Sequence, residues 1–309
     1  MKLILVFFLF FFFAEGIVAQ KKNIKEIISN RMKSRDYWFP DSLLSNPEFQ
    51  RRVIPELEIV SKNILTYPHD KRDKYYSALV DLYYYDSKPK SHQKIVELLM
   101  LGALDKSEWL RLHNMHDLVR LAHKEDFNAM RLNMLKALIL HPTLHTTPLF
   151  PLVGKLDWSD GDEIMRNFFS QGPEMLPEDE NRPGGYLASP KWRAAIALAK
   201  KGDHQAMNYL IIKAKKEENR DVLYDIFSDF AFIRTRESTD FLIDFLFSDY
   251  GKQQVGHALH HTDFSASSME LAKLIKGFDE ILSAGAYDEK IIRSWMQERK
   301  RTYEMLPEK

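Results

Sequence analysis

Apolar residues at helical spacing recur throughout this chain, and this periodicity restricts its fold more than any other feature of the sequence. In the segment SPKWRAAIALAKKGDHQAMNYLI, residues 189–211, the apolar residues stand three and four positions apart, in one run before a Gly-Asp pair and in a second run after it. Ser189 and Pro190 are typical of the first residues of a helix, and Gly202 and Asp203 are typical of a tight connection between two helices. The segment therefore predicts two short antiparallel helices joined by a turn.

The same pattern begins again further along the chain. Apolar stripes start at Trp192, Leu223 and Val255, which gives a period of about 30 residues, as in proteins built from stacked helix pairs. One such pair is too small to bury its own apolar side chains, so neighbouring pairs are expected to stack and share a core.

Residues 189–216 resemble a HEAT-type repeat of the armadillo superfamily. The likeness rests on WRAAIALAKKGDHQAMNYLI, with its Ala-rich first helix, its Gly-Asp turn and its apolar second helix, and the two following units keep the stripes but lack the turn. The resemblance implies an all-α fold, a right-handed α-solenoid of stacked antiparallel helix pairs that presents a curved surface to another macromolecule. HEAT-like enzymes with a di-iron centre use adjacent His-Glu pairs, and this sequence contains none.

Composition excludes several classes of function. Lysine plus arginine and aspartate plus glutamate are both 44, so there is no excess of positive charge to hold a phosphate backbone, and nucleic acid is not expected as a partner. The chain has no cysteine, which excludes disulfides and thiol chemistry. No Gly-rich phosphate loop and no Gly-x-Ser-x-Gly motif is present, so we expect no cofactor and no α/β-hydrolase site.

The N-terminus predicts export. Lys2 is followed by the apolar run LILVFFLFFFFA, which ends before Glu15, and Ala19 is a small residue at a position typical of signal-peptide cleavage. The run is too short to span a bilayer comfortably. We interpret residues 1–19 as a signal peptide, so that the mature chain begins at Gln20, is secreted or periplasmic, and has no stable membrane insertion.

The rest of the chain is expected to form three segments. Residues 20–171 carry further helix pairs, and residues 190–305 carry the HEAT-like repeats. Between them, residues 172–189 are rich in proline, glycine and acidic side chains, and the three prolines and the Gly184-Gly185 pair exclude a continuous helix. This segment is either a linker between subdomains or a loop on one continuous solenoid. We expect it to be the most exposed part of the mature chain.

Histidines indicate where a chemical site could lie. His113, His116 and His123 fall within about 80° of one another on a helical wheel. His257 and His261 stand four positions apart, a spacing that can place two imidazoles on one metal ion. Neither group completes a zinc-peptidase helix, because the glutamate that such a helix needs beside its histidine is missing. We therefore interpret them as a solvent-exposed or groove-lining polar face, with a metal site as the alternative.

Seven residues are predicted to contribute to a binding surface. Three are the aromatic residues of DYWFPD, which could stack on a glycan or peptide or pack over the first helix pair, and four belong to the segment 172–189. They are Tyr37, Trp38, Phe39, Glu178, Asp179, Glu180 and Tyr186.

The sequence thus predicts an exported, non-catalytic helical-repeat protein that binds another protein. The alternatives are a metal-binding protein or hydrolase that uses the histidine faces, and a module that binds a glycan or peptide.

Overall fold

The structure is a computed structural model. It describes residues 24–33, 39–85, 88–141, 145–246, 271, 274–278, 294 and 303–307. The predicted signal peptide, the stripe that begins at Val255, and the site residues Tyr37, Trp38, His257 and His261 lie outside these residues. In the described part of the chain there are thirteen α-helices and no β-strand, which confirms the predicted all-α class.

The chain divides into two compact units, Met1–Pro142 and Thr143–Lys309. Residues 172–189 lie within the second unit. In the first unit the helices are α1 (Ile24–Lys33), α2 (Asp41–Leu44), α3 (Pro47–Ser61), α4 (His69–Tyr85), α5 (Pro89–Gly102), α6 (Glu108–Leu121) and α7 (Ala129–Ile139), with short 3₁₀ turns at Ile64–Thr66 and Lys124–Asp126.

Alternate helices of the first unit lie side by side. Helix α4 contacts α5 and α6, and α5 also contacts α3 and α7. Each of the central helices buries apolar side chains at three- to five-residue spacing, so each contributes one stripe to a shared core. The buried residues include Tyr75, Leu79 and Leu82 on α4, Ile95, Leu98 and Leu99 on α5, and Leu110, Met115 and Leu118 on α6.

A buried ion pair joins the start of α4 to the start of α6. Arg72 donates two hydrogen bonds to the carboxylate of Asp105, at 2.8 and 3.0 Å, and a third to the carbonyl oxygen of Tyr67 at 2.6 Å. The same carboxylate accepts a hydrogen bond from the backbone N–H of Ser107 at 2.8 Å, directly before α6 begins. Bidentate arginine–carboxylate pairs have fixed geometry. The pair therefore sets the position of the first turn of α6 against α4.

The second unit contains residues 189–216, on which the resemblance to a HEAT-type repeat rests. Its helices are α8 (Phe150–Val153), α9 (Ser159–Gln171), α10 (Pro190–Lys200), α11 (His204–Ala214), α12 (Arg220–Ile233) and α13 (Arg236–Leu246), and its 3₁₀ turns lie at Thr147–Leu149, Pro177–Asp179 and Gly185–Ala188. Helix α10 contacts α8, α9, α11 and α12, and α11 contacts α13. As in the first unit, helices two apart in the chain order contact each other.

The hairpin of α10 and α11 has the local structure that its sequence predicts. The Ser189 side chain caps α10 by accepting from the N–H of Trp192 at 3.1 Å, and Asp203 caps α11 by accepting from two backbone N–H groups at 3.0 Å. Gly202 has a φ of +87°, the left-handed conformation that glycine adopts at low cost. Helix α10 buries both its large and its small side chains, from Trp192 to Ala199 with the exception of Arg193, because it has neighbours on several sides.

Among the described residues, no helix has both the length and the apolar character needed to cross a lipid bilayer.

Candidate functional site

The most distinctive surface of the first unit lies along α4 and α6. The rings of His69 and Trp109, on the first turns of the two helices, have centroids 5.7 Å apart. On their last turns, the guanidinium carbon of Arg120 lies 5.7 Å from the centroid of the Tyr84 ring. The two helices therefore run side by side in the same direction. We call this surface the α4–α6 face; it comprises His69, Asp73, Tyr84, Trp109, His113, Asp117 and Arg120.

Helical spacing puts these side chains together. Trp109, His113 and Asp117 stand four residues apart on α6, so they form one row along the helix. The buried residues Met115 and Leu118 lie on the other side of the same helix. Because the core stripe holds α6 against its neighbours, the row that contains Trp109 is turned outward.

Trp109 is the largest aromatic residue of the face and lies at the end where both helices begin. The ring of His113 stacks on its indole at 4.0 Å with an interplanar angle of 29°, yet 48% of Trp109 stays exposed. Tyr84 is 61% exposed, although tyrosine and tryptophan are usually buried for the most part. Two large rings are thus held in defined positions and left open to solvent.

The two carboxyl groups of the face are surrounded by basic side chains. Burial raises the pKa of Asp73, and the nearby His69 and His113 act in the opposite direction. Burial likewise raises the pKa of Asp117, against the effect of Arg120, which donates a hydrogen bond to its carboxylate at 2.6 Å. The face therefore combines aromatic rings with acidic and basic side chains, of which Arg120 and Asp117 form an ion pair.

The structure keeps two of the three predicted histidines on α6 and places the third, His123, outside this helix. His113 lies in the α4–α6 face, and His116 is exposed on α6. Helix α6 ends at Leu121, because Ala122 has an extended backbone with φ −68° and ψ 139°. His123 instead caps the next 3₁₀ turn, where its N–H donates to Asp126 at 2.9 Å. The placement of His123 on the helical face was therefore wrong.

No group of three or more histidine, aspartate or glutamate side chains in the described part of the chain is arranged to hold a metal ion. His257 and His261 are not among these residues.

Phe39 lies in the core and not at the surface. Only 3% of it is exposed, its ring meets that of Phe49 edge-on at 5.5 Å, and the guanidinium carbon of Arg31 lies 5.4 Å from its centroid. Of the two readings of DYWFPD, packing over the first helices holds for this residue. Phe39 therefore offers no ring to a ligand.

The segment 172–189 is exposed in its first part and packed in its second. Glu178 and Glu180 are exposed, Asp179 is half-buried, and Glu178 pairs with His145 at 3.3 Å. Tyr186, in contrast, meets the ring of Trp192 edge-on at 5.3 Å and donates a hydrogen bond to Glu217 at 2.8 Å.

Two glycines allow this packing. Gly184 has a φ of +69°, and a Cβ atom there would lie 2.8 Å from a methyl group of Val222. A Cβ atom at Gly185 would lie 2.3 Å from the carbonyl oxygen of Asp179. The Gly-Gly pair, which the sequence interpretation took as a sign of an exposed loop, therefore permits close approach of the backbone to its neighbours.

Sequence reasoning missed Trp109 and Tyr84, although part of the signal was present. Trp109 stands four residues before His113, so the helical spacing that placed the histidine on an exposed face could have placed the tryptophan on the same face. Tyr84 gave no such signal, because its exposure depends on which neighbours α4 receives in the folded unit. Comparisons with protein-family models, with curated proteins and with solved structures found no match.

Proposed function

We propose that this chain is an exported, non-catalytic helical-repeat protein that binds a partner protein through the α4–α6 face. The observation that carries the proposal is the pair of exposed rings at the two ends of one surface, Trp109 at one end and Tyr84, beside Arg120, at the other. Tryptophan, tyrosine and arginine are the residues that most often supply the binding energy of protein interfaces. The paired histidine and aspartate side chains around them would form the polar rim of such an interface.

The size of the two rings fits this role. A partner that covers the exposed parts of Trp109 and Tyr84 would remove on the order of 200 Å² of largely apolar surface from water. At the usual coefficient this contributes about 5 kcal/mol before the costs of association. Two such residues can dominate an interface but cannot form one alone, so we expect the partner to contact the neighbouring turns of α4 and α6 as well.

The repeat architecture and the export belong to the same proposal. The contacts of α10 with α12 and of α11 with α13 support stacking of helix pairs in the second unit, which the proposed HEAT-type, right-handed solenoid requires. The apolar run after Lys2, followed by Ala19, supports a cleaved signal peptide and a secreted or periplasmic location. A protein partner outside the cytoplasm is the consequence.

Affinity capture from the producing cell's medium or envelope tests the proposal. The mature chain serves as bait, in its natural form and with both Trp109→Ala and Tyr84→Ala. We expect at least one protein to be retained by the natural chain and lost, by tenfold or more, from the double variant. Ile59→Ala is the matched control, because Ile59 is 53% exposed on α3 of the same unit and lies outside the α4–α6 face.

The melting temperature of each variant shows whether the fold is intact. All three substitutions affect exposed side chains, so each should change it by only a few degrees. If the double variant retains every protein that the natural chain retains, the α4–α6 face is not the binding surface.

A further inference from the structure

In the second unit, two lysines meet one glutamate at the open end of a helical hairpin. Lys191, on the first turn of α10, pairs with Glu174 at 3.1 Å, and Lys213, on the last turn of α11, pairs with the other oxygen of the same carboxylate. The two lysines are neighbours because α10 and α11 are antiparallel, which brings the start of one helix beside the end of the other. Their side chains remain partly exposed, at 22% and 34%.

Two tyrosine rings lie beneath the ammonium groups. The Nζ atoms of Lys191 and Lys213 lie 5.5 and 5.8 Å from the centroid of the Tyr209 ring, and Lys213 lies 5.9 Å from that of Tyr186. These are cation–π distances. The rings hold the two positive charges side by side, where they would otherwise repel each other.

The hydroxyl group of Tyr209 is buried and has no hydrogen-bond partner among the described residues. Buried polar atoms in folded proteins are nearly always paired with protein or water, so an unpaired one calls for an explanation. Burial, and then the charge of Glu174, raise the pKa of Tyr209 to about 12. The phenol therefore keeps its proton at neutral pH, so the ring beneath the two lysines carries no negative charge and holds them by cation–π attraction alone.

Glu174 is a weakly held occupant of this position. It is 49% exposed and belongs to an irregular stretch, residues 172–176, between α9 and the next 3₁₀ turn. Within the described residues, the backbone N–H groups of 174–176 have no hydrogen-bond acceptor, so the carboxylate is the main polar attachment of this stretch. Partly exposed salt bridges contribute little to stability. A competing carboxylate can therefore replace Glu174 at small cost.

We propose that Lys191, Lys213 and Tyr209 form a binding site for a glutamate or aspartate side chain of an acidic peptide segment, and that Glu174 occupies this site until such a segment displaces it. The two ammonium groups take the two carboxylate oxygens, the ring of Tyr209 holds the ammonium groups by cation–π contacts, and the ring of Tyr186 contacts the apolar part of the peptide. Glu174 itself demonstrates the fit, because it is a carboxylate carried by an irregular stretch of chain.

A peptide carboxylate suits the site better than a free dianion. Tyr186 donates a hydrogen bond to the carboxylate of Glu217, so a second negative charge already lies close to the rings. That charge disfavours an ion such as phosphate more than it disfavours a single carboxylate. The site belongs to the second unit, so its failure in a test would leave the proposal for the α4–α6 face intact.

Binding of a fluorescein-labelled, Glu-rich octapeptide to the full mature chain, followed by fluorescence anisotropy, tests this inference. Glu174→Ala removes the internal competitor and is expected to tighten binding about tenfold, as it would if Glu174 filled the site in roughly nine of ten molecules. Glu178→Ala is the matched control, because Glu178 lies in the same segment but pairs with His145. The control should bind the peptide as the natural chain does.

Two further binding measurements show whether the tighter binding by Glu174→Ala depends on the lysines and on the peptide carboxylates. Adding Lys213→Met to Glu174→Ala should abolish the gain, and a peptide with glutamine in place of each glutamate should not bind. The inference is overturned if Glu174→Ala binds no more tightly than the natural chain, or if Glu178→Ala gives the same gain. It is also overturned if the glutamine peptide binds equally well, or if inorganic phosphate at the peptide's own concentration displaces the peptide. Melting curves establish that each variant is folded.

Discussion

At the scale of single residues, Arg72 and Asp105 form a buried, bidentate ion pair that joins α4 to the start of α6. Their side chains are 3% and 0% exposed. Arg72→Met keeps much of the side-chain volume but leaves the carboxylate buried without its partner, which we expect to lower the free energy of unfolding by about 3–5 kcal/mol. Urea denaturation measures the change.

An exposed pair on the same surface is the control. Arg120 pairs with Asp117 but is 57% exposed, so Arg120→Met should cost less than about 1 kcal/mol. Equal costs for the two substitutions would mean that the Arg72–Asp105 pair does not hold α6 in place.

Asp81 makes the stability of the first unit depend on pH. It is 4% exposed, and burial raises its pKa from 3.8 to about 6, against the effects of Arg31 and of the backbone hydrogen bond with Phe39. Between these two values the folded chain binds the proton more tightly than the unfolded chain, so stability is lost as the pH rises through this window. Asp81→Asn removes this dependence.

The prediction concerns the difference in unfolding free energy between Asp81→Asn and the natural chain. The other titrating groups contribute equally to both proteins, so their effects cancel in this difference. From pH 4.5 to pH 7.5 the unfolding free energy of Asp81→Asn should rise by about 2 kcal/mol relative to that of the natural chain. Urea denaturation at both pH values gives the two differences. A difference that is the same at both values contradicts the assignment of a raised pKa to Asp81.

At the scale of helices and turns, the sequence predicted best what depends on neighbours in the chain. The caps at Ser189 and Asp203 and the turn at Gly202 were predicted correctly, because a cap joins a side chain to a backbone group two or three residues away. For Phe39 the sequence left stacking on a ligand and packing over the first helices both open, and the structure shows the packing. The end of α6 before His123 was missed, because the helical spacing was extended past Ala122. The pairing of α4 with α6, and hence the α4–α6 face, could not be predicted, because it depends on contacts between segments distant in the chain.

The packed half of the segment 172–189 gives a prediction at this scale. Gly184→Ala introduces both a left-handed alanine and a contact at 2.8 Å with Val222, and we expect it to cost about 2–4 kcal/mol. Gly202→Ala is matched in conformation but has nothing within 4 Å of the new Cβ atom, so it should cost about 1–2 kcal/mol.

Denaturant titrations of the two glycine variants compare the costs directly. If Gly184→Ala costs no more than Gly202→Ala, residues 184–189 do not pack against α12, and the segment is the open loop that its composition first indicated.

At the scale of the whole molecule, export determines which partners the chain can meet. If residues 1–19 are a signal peptide, protein recovered from its native host should begin at Gln20, in its open or cyclised form. Intact-mass spectrometry of that protein measures the start of the chain. Recovery of the chain with residues 1–19 still attached would contradict cleavage. The apolar run would then act as a membrane anchor, and the partner would have to be a protein at that membrane.

The central claim is that the α4–α6 face contacts a partner protein, and site-specific photo-crosslinking in the native host tests it most directly. With p-benzoylphenylalanine in place of Tyr84, illumination should give a discrete adduct between this chain and another protein. The same photoreactive group in place of the exposed Ile59 on α3 should not give that adduct. The absence of an adduct at position 84, or the same adduct at both positions, would contradict the account.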